Sequence, residues 1–222
     1  MKHYLNTRLK GKVGPNNEVF YSVYGMFTVH RQTYKYKSRV IQRMLTIEDF
    51  EMLVMRNQEG SSELFAKEES IVEQSIKDSI QNGQFDFEAF KRNYIFRSTS
   101  ILHWLTAYQK RLKISSWNNS QIDWELSIET ELMTEDRQED ELALLLVSKY
   151  VYESSPLYIL EQYSAVKRRQ HDILGLLYVH DWLTGQLVTD LNPILFEMGL
   201  EESVRQDIIR VIKLAIKKIK TH

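Results

Sequence analysis

Basic and aromatic side chains alternate between residues 33 and 39, where the chain reads TYKYKSR. Alternate side chains of a β-strand lie on one face, so this stretch predicts a strand with a tyrosine face and an opposite polar face. The polar face consists of Thr33, Lys35, Lys37 and Arg39. Same-face residues of a strand are roughly 6.5–7 Å apart, close to the ~7 Å between successive phosphates of a nucleic-acid strand. This spacing therefore predicts contact with phosphate groups.

A second basic set lies near the start of the chain, in MKHYLNTRLKGKV. Its apolar residues Leu5, Leu9 and Val13 take odd positions, which predicts another strand with one apolar face. The basic residues take even positions and are Lys2, Arg8, Lys10 and Lys12. A middle strand is predicted over residues 19–29, followed by a turn that places Arg31 at a hairpin tip.

Together these patterns predict a three-stranded sheet whose two outer strands place seven basic side chains on one face, with no acidic residue among them. Such a face favours binding to a polyanion. The alternative is that lysines on outer strands only prevent edge-to-edge pairing with other sheets.

The last helix carries a further basic face. Its cations are spaced by three, four and three residues, which places them together and away from the apolar positions. They are Arg210, Lys213, Lys217 and Lys220. This face predicts a second phosphate contact, and the alternative is that the cations only complement the negative end of the helix dipole.

No pattern predicts catalysis, a metal or a cofactor. The pairs His171-Asp172 and His180-Asp181 resemble those of metal phosphohydrolases, which would predict bound metal. Nine residues of helix turn through about 900°, so on one continuous helix the two pairs would lie on opposite faces, and ordinary structural histidines are the better interpretation. The acidic run at 134–141 lacks the alternating ligands and the glycine of a calcium loop, and nucleotide-binding motifs are absent.

Charge is segregated along the 222 residues although the net charge is only −1. Residues 1–47 contain nine Lys or Arg against one Glu, whereas residues 119–161 contain two basic and eleven acidic groups. Attraction for a polyanion must therefore come from local patches. The chain has no cysteine, no apolar signal-peptide core and no apolar run long enough to span a membrane, so we expect a cytoplasmic protein without a membrane partner.

The predicted fold is α+β: a small three-stranded antiparallel sheet with helices over residues 1–95, then a mostly helical domain over 96–222. In the first part, TIED at 46–49 predicts a helix start, a second helix is expected over 62–81 with Gly83 as its C-cap, and Asp86 is expected to cap a third. Pro156 and Pro193 are expected at helix starts. The later helices are predicted near 100–113, 120–131, 137–153, 157–170, 171–183, 190–198 and 201–220.

The segment VFYSVYGMFTVHRQTYKYKSRVIQRMLTIEDFEML resembles the arm-type DNA-binding domain of Bacteroidetes tyrosine recombinases, the phage-type integrases. IKDSIQNGQFDFEAFKRNYIF is similar to their helical linker. ILHWLTAYQKRLK and LVTDLNPILFEMGLEESVRQDIIRVIKLAIKKIK resemble the first and last helices of their SAM-like core-binding domain. The segment 114–186 is longer and more acidic than that domain, and the catalytic domain with its His-x-x-Arg box and tyrosine has no counterpart. The resemblance therefore implies a non-catalytic relative or a fragment.

This resemblance implies that the sheet enters the major groove of double-stranded DNA. Phosphates would be held by Arg8, Lys10, Lys35, Lys37 and Arg39, and base edges would be met by Arg31 or Thr33. The implied function is non-catalytic DNA binding connected with mobile-element integration or its regulation, with a recombinase or another protein as partner. The alternative is a protein-interaction or assembly module, in which the acidic block 119–161 meets a basic partner or the basic sheet of another copy.

Overall fold

The computed structural model describes residues 1–58, 63–111, 142, 145–146, 156–170 and 177–221. The chain divides into two compact units, Met1–Thr99 and Ser100–His222. The elements of the first unit are β1 (Lys2–Leu5), β2 (Lys12–Val13), β3 (Val19–Phe20), β4 (Val23–Val29), β5 (Gln32–Lys37), α1 (Ile47–Gln58), α2 (Glu63–Lys77), β6 (Ile80–Gln81), β7 (Gln84–Phe85) and α3 (Phe87–Arg97). An antiparallel sheet in the order β1-β4-β5, accompanied by helices, confirms the predicted α+β class.

The central strand β4 alternates between a buried face and a more exposed one. Val23 and Phe27 are buried, and the face to which they belong packs on aromatic residues of α2 and α3. The ring centroids of Phe27 and Phe90 are 4.6 Å apart, and those of Tyr36 and Tyr94 are 4.9 Å apart. We call this helix-covered side of the sheet the inner face.

Gly25 lies on the inner face between β1 and β5, where it is paired with His3 on one side and Tyr36 on the other. A Cβ atom at this position would come within 2.2 Å of the Tyr36 ring. The missing side chain therefore makes room for the ring to lie across the central strand, and the Tyr36 hydroxyl donates to the sulfur of Met1.

A buried carboxylate connects the inner face to the helices. Glu68 of α2 is fully buried, and its carboxylate accepts hydrogen bonds from His3 Nε2 at 3.0 Å, Ser38 Oγ at 2.8 Å and the Tyr94 hydroxyl at 2.5 Å. The Tyr94 oxygen in turn accepts from the backbone N–H of Arg39 at 2.8 Å. Burial, and then the charge of Glu68, raise the pKa values of Tyr94 and Tyr36 well above the ordinary tyrosine value. These bonds tie β1 and the segment after β5 to both helices.

The first unit differs from the sequence-based prediction at three places. The predicted middle strand over residues 19–29 is divided, since Val19–Phe20 form β3, which pairs with β2, and β4 begins at Val23. β1 ends at Leu5 instead of running to residue 13, and Leu9 and Val13 are 54% and 67% exposed, so the predicted apolar face of one long strand is wrong. The second helix ends at Lys77 instead of Gln81. The residues that follow it form the hairpin β6–β7, whose turn Asn82-Gly83 has positive φ at both positions, as a two-residue hairpin turn requires.

The two predicted N-caps of the first unit are confirmed, whereas Gly83, predicted as the C-cap of the second helix, lies in the β6–β7 turn. Thr46 Oγ1 accepts a hydrogen bond from the backbone N–H of Asp49 at 3.1 Å, at the start of α1. The Asp86 carboxylate accepts from the N–H groups of Glu88 and Ala89 at 2.8 and 3.1 Å, at the start of α3.

The described part of the second unit is mostly helical. Its helices are α4 (Ile101–Arg111), α5 (Pro156–Gln170), α6 (Val179–Leu183), α7 (Gln186–Glu197) and α8 (Glu202–Thr221). Helix α8 packs on α4 and α5, with Leu105, Ile159 and Ile212 fully buried. No helix in the described ranges is long and apolar enough to cross a bilayer.

The helix boundaries of the second unit correct two expectations. Pro156 starts α5 as predicted, but Pro193 lies inside α7, which begins seven residues earlier at Gln186. Residues 171–176 of the predicted helix 171–183 lie outside the described residues; Tyr178 forms an extended bridge with Ser100, and helix α6 begins at Val179. The predicted helix 120–131 lies outside the described residues, and within 137–153 only Leu142, Leu145 and Leu146 are described, all helical.

Candidate nucleic-acid interface

The sheet has a second side, opposite the helices, which we call the outer face. Strand pairing arranges its side chains in three rows across the sheet. The rows are Lys2–Met26–Lys35, Tyr4–Tyr24–Lys37 and Thr28–Thr33. All three lysines and both threonines are exposed, so the outer face is open to solvent along the described chain.

The outer face is cationic. β1, β4 and β5 contain no Asp or Glu, and Lys2, Lys35 and Lys37 are its only charged residues. Lys35 and Lys37 are same-face neighbours on one strand, roughly 7 Å apart, and Lys2 lies two strands away from Lys35, roughly 10 Å across the sheet. The buried carboxylate of Glu68 bonds to inner-face and helical groups, so it forms no ion pair with these lysines.

Sequence reasoning missed the middle of the outer face. Tyr4 and Tyr24 stand opposite each other, with ring centroids 6.0 Å apart and ring planes at 34°, and Met26 follows on β4. All three side chains are half-buried. The sequence pattern does predict these positions: Tyr4 is at an even position like Lys2, and Tyr24 and Met26 alternate with the buried residues of β4, so all three belong to the outer face.

The hairpin tip consists of His30 and Arg31, which connect the last pair of the ladder, Val29 and Gln32. Both tip residues have positive φ, 50° and 67°, which a two-residue hairpin turn needs but which side chains other than Asn, Asp and Gly rarely adopt. The structure therefore confirms the turn and places Arg31 at the tip, exposed, beyond the exposed Thr33.

Four of the predicted phosphate contacts lie away from the outer face. Arg8 is in the turn after β1, where the N–H of Leu9 donates to the carbonyl of Asn6, and Lys10 follows this turn without regular structure. Lys12 is in β2, which pairs with β3 and not with the sheet, and Arg39 is in a bend after β5. The predicted set of seven cations on one face is therefore wrong, because the chain turns at residues 7–9 instead of continuing β1.

All four of these residues are nevertheless exposed. They follow the strand ends that lie opposite the hairpin tip, because β1 ends at Leu5, which is paired with Val23, and β5 ends at Lys37, which is paired with Tyr24. Cations thus flank the outer face at both ends, and their role in phosphate contact stays a prediction.

The basic positions of the last helix lie on an exposed face of α8. Arg210, Lys213, Lys217 and Lys220 are exposed, whereas the opposite side of the helix is buried, with Val211 among the residues of its core. Lys218 lies beside this face with its Nζ 5.6 Å from the centre of the Tyr108 ring. The predicted separation of the basic and apolar sides of this helix is therefore confirmed.

The histidine pairs give no metal site within the described ranges, where no group of three His, Asp or Glu residues could hold an ion. His180 and Asp181 are buried, and an Asp181 carboxylate oxygen accepts from the backbone N–H of Tyr178 at 3.3 Å, which caps the start of α6. His171-Asp172, the acidic run at 134–141 and most of the acidic block 119–161 lie outside the described residues.

Comparison of the chain with protein-family models, curated proteins and solved structures found no match. The similarity to tyrosine recombinases therefore rests on the sequence segments quoted above and stays a prediction.

Proposed function

We propose that this chain is a non-catalytic DNA-binding protein whose first unit contacts the phosphates of double-stranded DNA through the outer face. The observation that carries the proposal is a sheet face with three exposed lysines, whose strands β1, β4 and β5 contain no acidic residue. A polyanion with regularly spaced charges complements such a surface. The proposal includes a cytoplasmic location and, from the resemblance alone, a connection with mobile-element integration or its regulation.

The cations at the two ends of the sheet extend the proposed contact. A strand of seven residues, the length of β4, spans roughly 23 Å, or about three phosphate spacings of one DNA strand. Lys2, Lys35 and Lys37 would contact the central phosphates, and Arg39 and the loop carrying Arg8 those at one end. At the other end, Arg31 and Thr33 would lie nearest to base edges in the groove.

The proposal is tested by measuring the affinity of the full chain for duplex DNA by fluorescence anisotropy at several salt concentrations between about 50 and 200 mM. A triple variant Lys2→Gln, Lys35→Gln, Lys37→Gln removes the outer-face charge. Each phosphate contact contributes about 0.9 to the slope of log K against log salt, so we expect the slope to shrink by up to about 2.7.

The matched control removes three cations from the helices of the same unit, with Lys77→Gln, Lys91→Gln and Arg92→Gln. These residues lie on α2 and α3, away from the outer face. We expect the control to keep most of the affinity and slope. The proposal is abandoned if the wild-type chain binds no duplex at low salt, or if both triple variants lose the same affinity.

A further inference from the structure

The outer face offers two aromatic rings beside its cations. Tyr4 and Tyr24 share one row of the sheet with Lys37, and their rings lie side by side at 6.0 Å. Among the described residues, neither ring has another aromatic neighbour on that face. Lys2 and Lys35 occupy the next row, on either side of Met26.

Aromatic rings on this face can stack on unpaired bases, an interaction that phosphate contacts do not involve. In a duplex the bases stack on one another, so side chains on a flat sheet face meet only the backbone and the groove edges. Unpaired bases, in contrast, stack on aromatic side chains of open sheets while neighbouring cations hold the backbone. Tyr24 is paired with Lys37, and Tyr4 lies two residues from Lys2 on the same strand, so each ring has a cation beside it that could hold the backbone of a stacked base.

We propose that the outer face binds single-stranded DNA, with unpaired bases stacked on Tyr4 and Tyr24 and the phosphates held by Lys2, Lys35 and Lys37. The inference rests on the proposed DNA binding and extends its substrates from duplex DNA to DNA that contains unpaired bases. The three lysines can contact the phosphates of either duplex or single-stranded DNA, whereas the two tyrosine rings can stack only on the bases of a single strand. The competing account is that the tyrosines are an ordinary cross-strand pair that stabilises the sheet.

The test compares an oligothymidylate of about 15 nucleotides with a duplex of similar length, using the full chain and fluorescence anisotropy. The double variant Tyr4→Leu, Tyr24→Leu keeps apolar side chains on the strands but removes the rings. We expect its affinity for the single strand to fall roughly tenfold or more, and its affinity for the duplex to stay within about twofold of wild type. The control Tyr4→Phe, Tyr24→Phe keeps the rings, and we expect it to bind both DNAs like wild type.

A second variant keeps the test decisive if the leucine variant does not fold. Tyr24→Trp adds an indole to the outer face, and we expect single-stranded DNA, but not duplex, to quench the additional tryptophan fluorescence relative to wild type. Equal quenching by the two DNAs, or none by either, would contradict the stacking.

The outcomes separate this inference from the proposed function. The inference fails if the leucine variant binds the single strand like wild type, or if it loses the same affinity for both DNAs. In either case the lysine variant still tests duplex binding by itself. A wild-type chain that binds neither DNA at low salt removes both.

Discussion

The hydroxyl of Tyr94 links the buried carboxylate of Glu68 to the backbone of the segment that follows β5. It donates to Glu68 at 2.5 Å and accepts from the backbone N–H of Arg39 at 2.8 Å. The substitution Tyr94→Phe removes both bonds while keeping the ring that packs on Tyr36 and Phe90. It also leaves a fully buried carboxylate with one donor fewer.

The expected loss follows from these two bonds. A hydrogen bond to a charged group contributes about 1.5–3 kcal/mol, and a neutral one about 1 kcal/mol. We therefore expect Tyr94→Phe to lower the free energy of unfolding of the first unit by about 2.5–4 kcal/mol. The control Tyr34→Phe removes an exposed bond to Gln32, and it should cost less than about 0.5 kcal/mol.

The assay is urea denaturation followed by far-ultraviolet circular dichroism, with hydrogen exchange of the β5 and α3 peptides to assign the loss to the first unit. Equal stabilities of the Tyr94→Phe and Tyr34→Phe variants would refute the reasoning. Such a result would mean that the hydrogen bonds from His3 and Ser38 alone are sufficient for the buried Glu68 carboxylate.

Two further predictions concern the same region. The pKa values of Tyr36 and Tyr94 are raised in the folded protein, so both hydroxyls stay protonated above about pH 10, where tyrosines of the unfolded chain ionise. The free energy of unfolding should therefore fall above about pH 10 by up to about 1.4 kcal/mol per pH unit for each tyrosine, and denaturation curves that do not change between about pH 9 and 11 would contradict this. Gly25→Ala should lower the melting temperature and cost about 1–3 kcal/mol, because the new Cβ would overlap the buried Tyr36 ring; a variant as stable as wild type would show that the ring moves aside freely.

The sequence is sufficient to predict those parts of the fold that depend on a single local pattern. β4 and β5 alternate without interruption, and Thr46 and Asp86 cap helices through their own side chains, so each was predictable. β1 was not, because Leu9 fits the odd-position pattern although the chain has already turned. The alternation of apolar residues alone could not reveal this turn.

Other features were present in the sequence but were outweighed by a longer pattern. Asn82-Gly83 is a strong hairpin signal, but Ile80 continued the apolar stripe of the preceding helix and favoured a longer helix.

The burial of Glu68 could not be predicted from the sequence, for a different reason. A glutamate is normally read as exposed, and its burial depends on donors from residues 26 to 65 positions away in the chain.

The buried cluster around Glu68 connects the fold of the first unit to the proposed interface. Ser38 turns inward and donates to Glu68, while its neighbours Lys37 and Arg39 are exposed. The backbone of Arg39 is held by the Tyr94 hydroxyl, and the backbone N–H of Ser38 donates to the carbonyl of Val23. The backbone that carries Lys37 and Arg39 is therefore held in place in part by Ser38, whose side chain lies on the opposite side of the sheet. Binding that relies on charge spacing is weakened when the charges are free to move. If the outer face binds DNA as proposed, we therefore expect the Glu68 carboxylate to support this binding without contacting the DNA.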